Sequence, residues 1–297
     1  MFGAGWLPDF AASRSGISSS YKLESRLRVS GSIQRLAVLV VTVVAGTVLS
    51  GTVLAAEGSD AAVTAGSEPA TSAIVIGFVG GFVRHDNFHH GPVQLAQRIQ
   101  RSVPKSTHVQ MFENRHRARA HAVILRLLDT NHDGVLSAEE KSSARIVLFG
   151  HSWGGAAAVV LARQLRREHI PVLLTVQVDS IAKPWQDDSA IPDNVAEAVN
   201  FYQPHGLLHG RAQITAADQS KTEILGNYRT DYRKQPVQCP EASWSDHFFT
   251  PGHMQSECDP RVWSRIEDMV RQRLASQDLA SASNPKPNED AETASRK

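Results

Sequence analysis

The stretch that decides the fold lies in the middle of the chain and reads Ile146-Val147-Leu148-Phe149-Gly150-His151-Ser152-Trp153-Gly154-Gly155. Its first four residues are apolar, which is typical of a strand buried on both faces. A run rich in small residues follows at 156–168 and predicts a helix. The pattern Gly-x-Ser-x-Gly thus falls on a turn between a buried strand and a helix. This context favours a nucleophilic serine over a serine that lies in a glycine-rich turn by chance.

Such a turn is so sharp that Cβ atoms at positions 150 and 154 would collide, and both positions are glycine. Ser152 is then raised above the sheet at the N-terminus of the helix. Backbone N–H groups and the helix dipole favour developing negative charge there. We therefore expect Ser152 to act as a nucleophile.

Apolar, β-branched runs alternate with helical periodicities on both sides of this turn. The predicted strands are 73–79, 108–112, 144–149 and 171–178, with further strands near 198–202 and near residue 224, and the predicted helices are 92–103, 118–128, 156–168 and 261–275. Strands that alternate with helices at these spacings imply an α/β fold with a mostly parallel sheet covered on both faces. Residues 180–255 are polar and less regular, and we expect them to form a cap or lid over the site.

The turn Gly150–Gly155 and the order of elements around it resemble the α/β-hydrolase superfamily, and within it the lipase, esterase and thioesterase-like serine hydrolases. The resemblance covers most of residues 73–275. It implies that the backbone N–H of Trp153, directly after the nucleophile, is one oxyanion donor. A second donor is expected from the loop after an earlier strand, where Gly80-Gly81-Phe82 stands, and we assign it to the N–H of Phe82.

The resemblance implies that the catalytic residues follow one another along the chain in the order serine, acid, histidine, so the acid is expected after Ser152. Asp179 directly follows the strand after the helix that begins at the turn, at the sheet edge where open α/β sheets carry their sites. Many family members place the acid one strand later, but residues 200–217 contain no Asp or Glu, which favours Asp179. Asp187, Asp188 and Asp218 are weaker alternatives.

The base is expected in a loop before the last helix, where His247 and His253 both qualify. His253 is favoured because it is the last histidine before that helix. His151 stands beside the serine and is expected to support the turn. Proton transfer needs a side chain that arrives from across the site, which argues against His151 as the base.

Residues 129–140 match the calcium-loop pattern D-x-[DN]-x-[DN]-G-x5-E at every defined position. The expected ligands are Asp129, Asn131, Asp133, the carbonyl of Val135, Ser137 (acting through water) and a bidentate Glu140. Helical runs flank the loop, so the segment around 118–143 resembles an EF-hand inserted before the nucleophile strand. A single loop of this kind favours a structural calcium ion over a switch. The metal-free alternative is a polar Asx-turn loop that caps the next helix.

The start of the chain predicts export. A Ser- and Gly-rich leader with scattered basic residues precedes an apolar run at 36–54 and the small residues Ala55 and Ala56, which is typical of a signal peptide. The run is nearly long enough for a retained anchor, but cleavage near Ala55 or Ala56 is favoured. Residues 1–56 are therefore a signal peptide or membrane anchor, 57–72 a linker, 73–275 the hydrolase domain and 276–297 a disordered tail. The domain is expected to be periplasmic or secreted, where Cys239 and Cys258 can pair.

The composition excludes several classes of function. Lys and Arg total 31 against 30 Asp and Glu, a net charge of +1, and no basic stripe with interleaved aromatics indicates a nucleic-acid partner. Two cysteines lack the partners of a four-ligand zinc site. No organic cofactor is expected, and membrane contact is expected only through an uncleaved N-terminal anchor.

The sequence thus predicts an exported serine hydrolase that cleaves carboxylic ester or thioester bonds of small or lipid-like substrates. The reaction would pass through an acyl-enzyme on Ser152, with Asp179 and His253 as acid and base. Acyltransferase or peptidase activity on the same triad is an alternative. A non-catalytic calcium-binding or interaction protein on a hydrolase scaffold is another.

Overall fold

A computed structural model of the chain describes residues 73–240 and 250–283. The predicted signal peptide or anchor, the linker, the tail beyond Ser283 and the alternative base His247 lie outside these residues. Within the described ranges, no helix has both the length and the apolar character needed to cross a bilayer.

Eight strands are present in the described residues: β1 Ala73–Val79, β2 Thr107–Glu113, β3 Ile146–His151, β4 Val172–Val178, β5 Ala190–Ile191, β6 Val195–Tyr202, β7 Thr215–Ala216 and β8 Glu223–Arg229. Six of them form one sheet in the order β2-β1-β3-β4-β6-β8, and every neighbouring pair in it is parallel. Strands β5 and β7 pair separately. The chain runs outward from β1 in one direction and from β3 in the other. The crevice between the C-terminal ends of β1 and β3 is therefore the switch point where α/β sheets bind ligands.

The described helices are α1 Gly91–Ser102, α2 Arg117–Leu128, α3 Ala138–Ser142, α4 Trp153–Arg167, α5 Pro251–Cys258 and α6 Pro260–Ser283, with a 3-10 turn at Asn114–His116. Helices α1 and α6 cover one face of the sheet, where residues such as Val75, Leu95 and Ile266 form one apolar core. Helices α2 and α4 cover the other face, where Ile76 and Leu161 belong to a second core.

A parallel sheet with helices on both faces and the nucleophile turn at its switch point is the α/β-hydrolase fold, so the predicted fold class is confirmed. The predicted order of strands and helices also holds through β4, with ends that differ by at most three residues. Strand β3 begins at Ile146 instead of residue 144 and continues through the first two positions of the turn, to His151.

Two regions differ from the sequence prediction. The strands expected near 198–202 and near residue 224 are present as β6 and β8, but they belong to the main sheet and not to a separate cap, because the apolar residues of β6 are buried beside β4. The last helix continues to Ser283, eight residues beyond its predicted end. Residues 276–283 contain neither glycine nor proline, and Ala and Leu among them favour a helix, so nothing in this segment stops it before Pro285.

The crossing of β1, β3 and α4 leaves no space for side chains at two glycines of the turn. A Cβ atom on Gly154 would overlap the carbonyl oxygen of Phe78 in β1, and one on Gly150 would overlap the backbone of Gly154. The steric requirement inferred from the Gly-x-Ser-x-Gly pattern is therefore present in the packing. Because both positions are glycine, the start of α4 packs directly against β1 and β3.

Replacing Gly154 with Ala should destabilise the protein. Ala is favoured over Gly in a helix by about 1 kcal/mol, so any loss of stability reports the overlap with Phe78. We expect a net loss of roughly 2 kcal/mol in the free energy of unfolding, measured in urea. The control Gly206→Ala lies in open space at φ +93° and should lose only about 1 kcal/mol from backbone strain. A Gly154→Ala protein as stable as the wild type would contradict this account.

Candidate active site

Three predicted residues from distant parts of the chain meet at the switch point. The Nε2 atom of His253 lies 3.0 Å from the hydroxyl of Ser152, and its Nδ1 atom lies 2.7 Å from a carboxylate oxygen of Asp179. All three side chains are buried. Because an ionised Asp179 can only accept, the proton of a neutral imidazole lies on Nδ1, and Nε2 accepts from the serine hydroxyl.

Ser152 is held in a strained backbone conformation at φ +56° and ψ −127°, which is rare for a residue with a side chain. Its N–H donates to Val178 O at 2.9 Å, and its carbonyl accepts from Gly155 and Ile181. The turn is thus fixed by hydrogen bonds to β4 and to the loop after it. Strain of this kind persists only where the surrounding structure imposes it, and it is typical of functional sites.

Asp179 is fully buried and accepts several hydrogen bonds besides the one from His253. One carboxylate oxygen accepts from the N–H of Gly210 at 2.6 Å and of Gln203 at 3.2 Å, and the other accepts from the amide of Gln203 at 3.0 Å. Burial by itself raises the pKa of Asp179, but the hydrogen bonds from His253 and Gln203 outweigh it and lower the pKa. The group is therefore held ionised, as an orienting acid must be.

The three alternative acids lie in other settings. Asp188 is buried and binds Ser180 and Arg211, Asp187 binds Ser189, and Asp218 binds Ser220. None of these carboxylates has a hydrogen bond to a histidine in the described part of the chain. The geometry favours Asp179.

Helix α5 carries His253 into the site. Gly252 packs against the side-chain amide of Gln203, where a Cβ atom would overlap Gln203 Oε1. The C-terminal end of α5 is tied by a disulfide between Cys258 and Cys239, whose Cα atoms are 5.6 Å apart. The predicted pairing of the two cysteines is thus present, and it anchors the helix that holds the imidazole.

The loop after β1 lies against the serine. A Cβ atom on Gly80 would come within 2.8 Å of Ser152 Cβ, so this loop reaches Ser152 only because position 80 is glycine. The end of β2 supports the loop, because Asn114 donates to Gly81 O at 2.7 Å and Glu113 accepts from the N–H of His85. The Phe82 and Trp153 rings meet edge to face with centroids 5.6 Å apart. The two expected oxyanion donors thus belong to neighbouring residues at the mouth of the crevice.

Behind His253 lies a buried network that the sequence analysis missed. The rings of His151 and His253 pack with centroids 4.6 Å apart, and His151 Nε2 lies 3.1 Å from the Ser256 hydroxyl. Glu257 is buried 3.7 Å from His151 Nδ1 and 2.7 Å from His90 Nδ1. Burial lowers the pKa of His151 to about 4, despite the nearby charge of Glu257. His151 is therefore held neutral, and its ring packs against helix α5, which carries His253.

The residues of the calcium-loop pattern form the connection between α2 and α3. Glu140 Oε1 accepts from Thr130 and Asn131, Glu140 Oε2 accepts from Ser137 N–H, and these bonds lower the pKa of Glu140 to about 2. One oxygen of Asp129 accepts from Gly134 N–H, whereas Asp129 Oδ1 is buried without a hydrogen-bond partner. Gly134 has φ +81°. Ser137 and Glu140 form a capping box on α3, as the metal-free alternative predicts.

The remaining predicted ligands are exposed on this loop. Asn131 Oδ1 accepts from the N–H of Asp133, Asp133 accepts from Val135 N–H, and Val135 itself is exposed. In the ranges that the structure describes, no three His, Cys, Asp or Glu side chains converge as a ready-made metal site. The oxygen chemistry of the loop suits calcium, and the partnerless Asp129 oxygen fits a cation.

Comparisons with known proteins give a family match and similar solved structures. Residues 89–204 match the model of the class 3 lipase family, and this segment contains Ser152 and Asp179. The structure is similar to that of a dienelactone hydrolase from Anabaena variabilis, with 13% identity, coverage of 69% of this chain and 87% of that chain, and a TM-score of 0.33. A search among curated proteins gives no match.

Replacing the buried His151 with Gln should flatten the pH dependence of stability. Below a pH of about 6.5 an unfolded histidine takes up a proton, whereas folded His151 stays neutral down to a pH of about 4. The unfolded state therefore binds more protons in this window, and the free energy of unfolding falls as the pH is lowered.

Urea unfolding at several pH values between 4.5 and 7 measures this slope. His151→Gln should reduce the slope by an amount that corresponds to roughly one bound proton. The exposed control His209→Gln should keep the slope of the wild type. Identical slopes for His151→Gln and the wild type would show that His151 is not held neutral.

Proposed function

We propose that this protein is a serine hydrolase that cleaves carboxylic esters through an acyl-enzyme on Ser152. The observation that carries the proposal is the hydrogen-bonded series Ser152–His253–Asp179, buried at the switch point of an α/β-hydrolase sheet. The class 3 lipase match over 89–204 supports an ester as the substrate class. Thioester cleavage, acyl transfer and peptide cleavage could use the same three residues, but no contact of the described residues favours them.

In the first half of the reaction, the Ser152 hydroxyl attacks the ester carbonyl carbon while His253 Nε2 takes its proton. Asp179 accepts the hydrogen bond from Nδ1 and stabilises the imidazolium that forms. The backbone N–H groups of Trp153 and Phe82 are the proposed donors to the oxyanion. His253 then protonates the leaving alcohol, and the acyl group remains on Ser152.

In the second half, His253 takes a proton from water, and the resulting hydroxide equivalent attacks the acyl carbonyl. The acid is released, and Ser152 recovers its proton from His253. Asp179, His253 and Ser152 are already in hydrogen-bond contact, so no rearrangement of the three side chains is needed.

Apolar side chains on the loops at this sheet edge suit an ester with an apolar part. Phe82, Trp185 and Leu207 follow β1, β4 and β6, and each is at least 84% exposed. Large apolar groups exposed around a crevice are typical of surfaces that contact apolar ligands. We therefore infer a small or lipid-like ester as the substrate.

A fluorophosphonate probe tests the assignment of the nucleophile. It should label the wild type and the exposed control Ser142→Ala at equal rates, and Ser152→Ala should not react. His253→Ala should label at least about 1,000-fold more slowly, because the hydroxyl loses its base. Probe bound to Ser152→Ala at the rate of the wild type would remove Ser152 from the mechanism.

We also propose that the loop 129–140 binds one calcium ion with a structural role. The ligands would be Asp129, Asn131, Asp133, the Val135 carbonyl, Ser137 through water, and Glu140. A bound ion would supply a positive charge that offsets the carboxylates of the loop. The partnerless Asp129 oxygen, the low pKa of Glu140 and the left-handed Gly134 support this proposal.

Calorimetric titration with calcium chloride tests this loop. We expect binding at micromolar to millimolar calcium and a higher melting temperature when calcium is present. Glu140→Gln should lose most of the binding. The exposed neighbour Glu139, which lies outside the pattern, provides the control Glu139→Gln and should bind like the wild type. No heat and no thermal shift in the wild type at millimolar calcium would rule out the site.

An exported location is proposed for the same protein, periplasmic or secreted. The Cys239–Cys258 disulfide supports it, because such bonds persist in oxidising compartments. Closing the loop between the two cysteines contributes on the order of 3 kcal/mol to stability in the chain-entropy model.

A further inference from the structure

A cluster of cationic side chains lies beside the nucleophile turn and has no role in the proposed proton transfers. Lys183, on the loop after β4, places its Nζ atom 4.9 Å from the centroid of the Trp153 ring. The same atom donates to Asn114 Oδ1 at 2.6 Å. Asn114 opens the 3-10 turn that carries Arg115 and leads into Arg117, the first residue of α2. The end of β2 and the loop after β4 thus bring three cations to one side of the crevice.

The carboxylates of the described residues do not balance the charges of this cluster. Burial lowers the pKa of Lys183, and the positive charges of Arg117 and Arg115 lower it further. Within residues 73–240 and 250–283, none of the three forms an ion pair with an acidic side chain. The nearby carboxylate of Glu113 is already engaged by His85 and His116. The Nε atom of Arg117 is buried and has no hydrogen-bond partner.

Structural roles account for only part of this arrangement. The contact of Lys183 with the Trp153 ring and its bond to Asn114 explain why one ammonium group lies there. They do not explain why Arg115 and Arg117 converge on it. Arg117 also lies in the first turn of α2, where the helix dipole disfavours positive charge. Unpaired cations that repel one another beside a crevice are the arrangement expected where an anion binds.

We propose that Lys183, Arg117 and Arg115 bind a carboxylate or phosphate group of the substrate, so that the enzyme acts on acidic esters. This inference rests on the proposed ester hydrolysis and narrows its substrate class. Asn114 connects the two functions, because its carbonyl holds Lys183 while its amide holds the loop of Gly81 beside Ser152.

Pairs of matched esters test the proposal on the intact protein. One pair carries the charge on the acyl side, monoethyl adipate against its neutral monoamide. The other carries it on the alcohol side, 3-butanoyloxypropanoate against its amide. We expect the wild type to prefer the acidic member of at least one pair by about tenfold or more in kcat/KM at low ionic strength. Raising the salt to about 0.5 M should reduce this preference, because exposed charges are screened.

Variants then assign the preference to the cluster. Lys183→Met and Arg117→Met should each lower, by about tenfold, the ratio of kcat/KM for the acidic ester to kcat/KM for its neutral partner. The control Arg167→Met removes an exposed arginine at the opposite end of α4, roughly 20 Å away along the helix. It should behave like the wild type with all four esters.

The possible results distinguish a failure of the anion-binding proposal from a failure of the proposed ester hydrolysis. No preference for the acidic member of either pair, or a preference that both cluster variants retain, overturns the proposal while ester hydrolysis stands. Inorganic phosphate that changes turnover of neutral esters in the wild type but not in Lys183→Met, without any preference for acidic esters, would assign the cluster to a free anion and also overturn it. Failure of the wild type to hydrolyse any of the four esters, together with an unlabelled Ser152, would instead contradict the proposed function.

Discussion

The site depends on the close crossing of β1, β3 and α4, where Gly150 and Gly154 leave no space for side chains. This crossing forces Ser152 into a left-handed conformation and directs its hydroxyl above the ends of the parallel strands. Every other functional element is positioned relative to that point. Asp179 ends β4, the adjoining strand, and the loop after β1 approaches through Gly80. The strain at Ser152 is sustained by hydrogen bonds to β4 and by the two apolar cores on opposite faces of the sheet.

His253 lies on helix α5 and not at the end of a strand, so its position depends on contacts that hold this helix. Strand β6 ends at Tyr202, and the residue after it, Gln203, binds Asp179 and contacts Gly252, so one side chain aligns the acid and the helix of the base. The Cys239–Cys258 disulfide ties the other end of that helix. Glu257, one residue before Cys258, pairs with His90 and faces His151. Helix α5 is therefore held on both sides, which keeps His253 within hydrogen-bond reach of Ser152.

The features that could be predicted from the sequence are those determined by residues that lie close together in the chain. The elbow, the strand before it and Asp179 at the end of the next strand depend on local patterns and on the parallel topology. The choice of His253 needed the family's chain order, and the geometry agrees with it. The contacts of Glu257 with His90 and His151 join residues 167 and 106 positions apart, so no local pattern indicates them. The cluster of Lys183, Arg115 and Arg117 could not be predicted either, because its members come from distant parts of the chain. Strands near 198–202 and near residue 224 were predicted, but their place in the main sheet was not, because no local pattern indicates that β6 pairs with β4 and β8 with β6.

The central claim is that Ser152 carries the acyl group during turnover. Acid quenching of the wild type during hydrolysis of a p-nitrophenyl ester, followed by peptide mass spectrometry, tests it most directly. The account predicts one added acyl mass on the peptide that contains Ser152. More of this acylated peptide should accumulate when deacylation is slow relative to acylation. Sustained turnover with no acylated peptide, or with the acyl group on another residue, would contradict it.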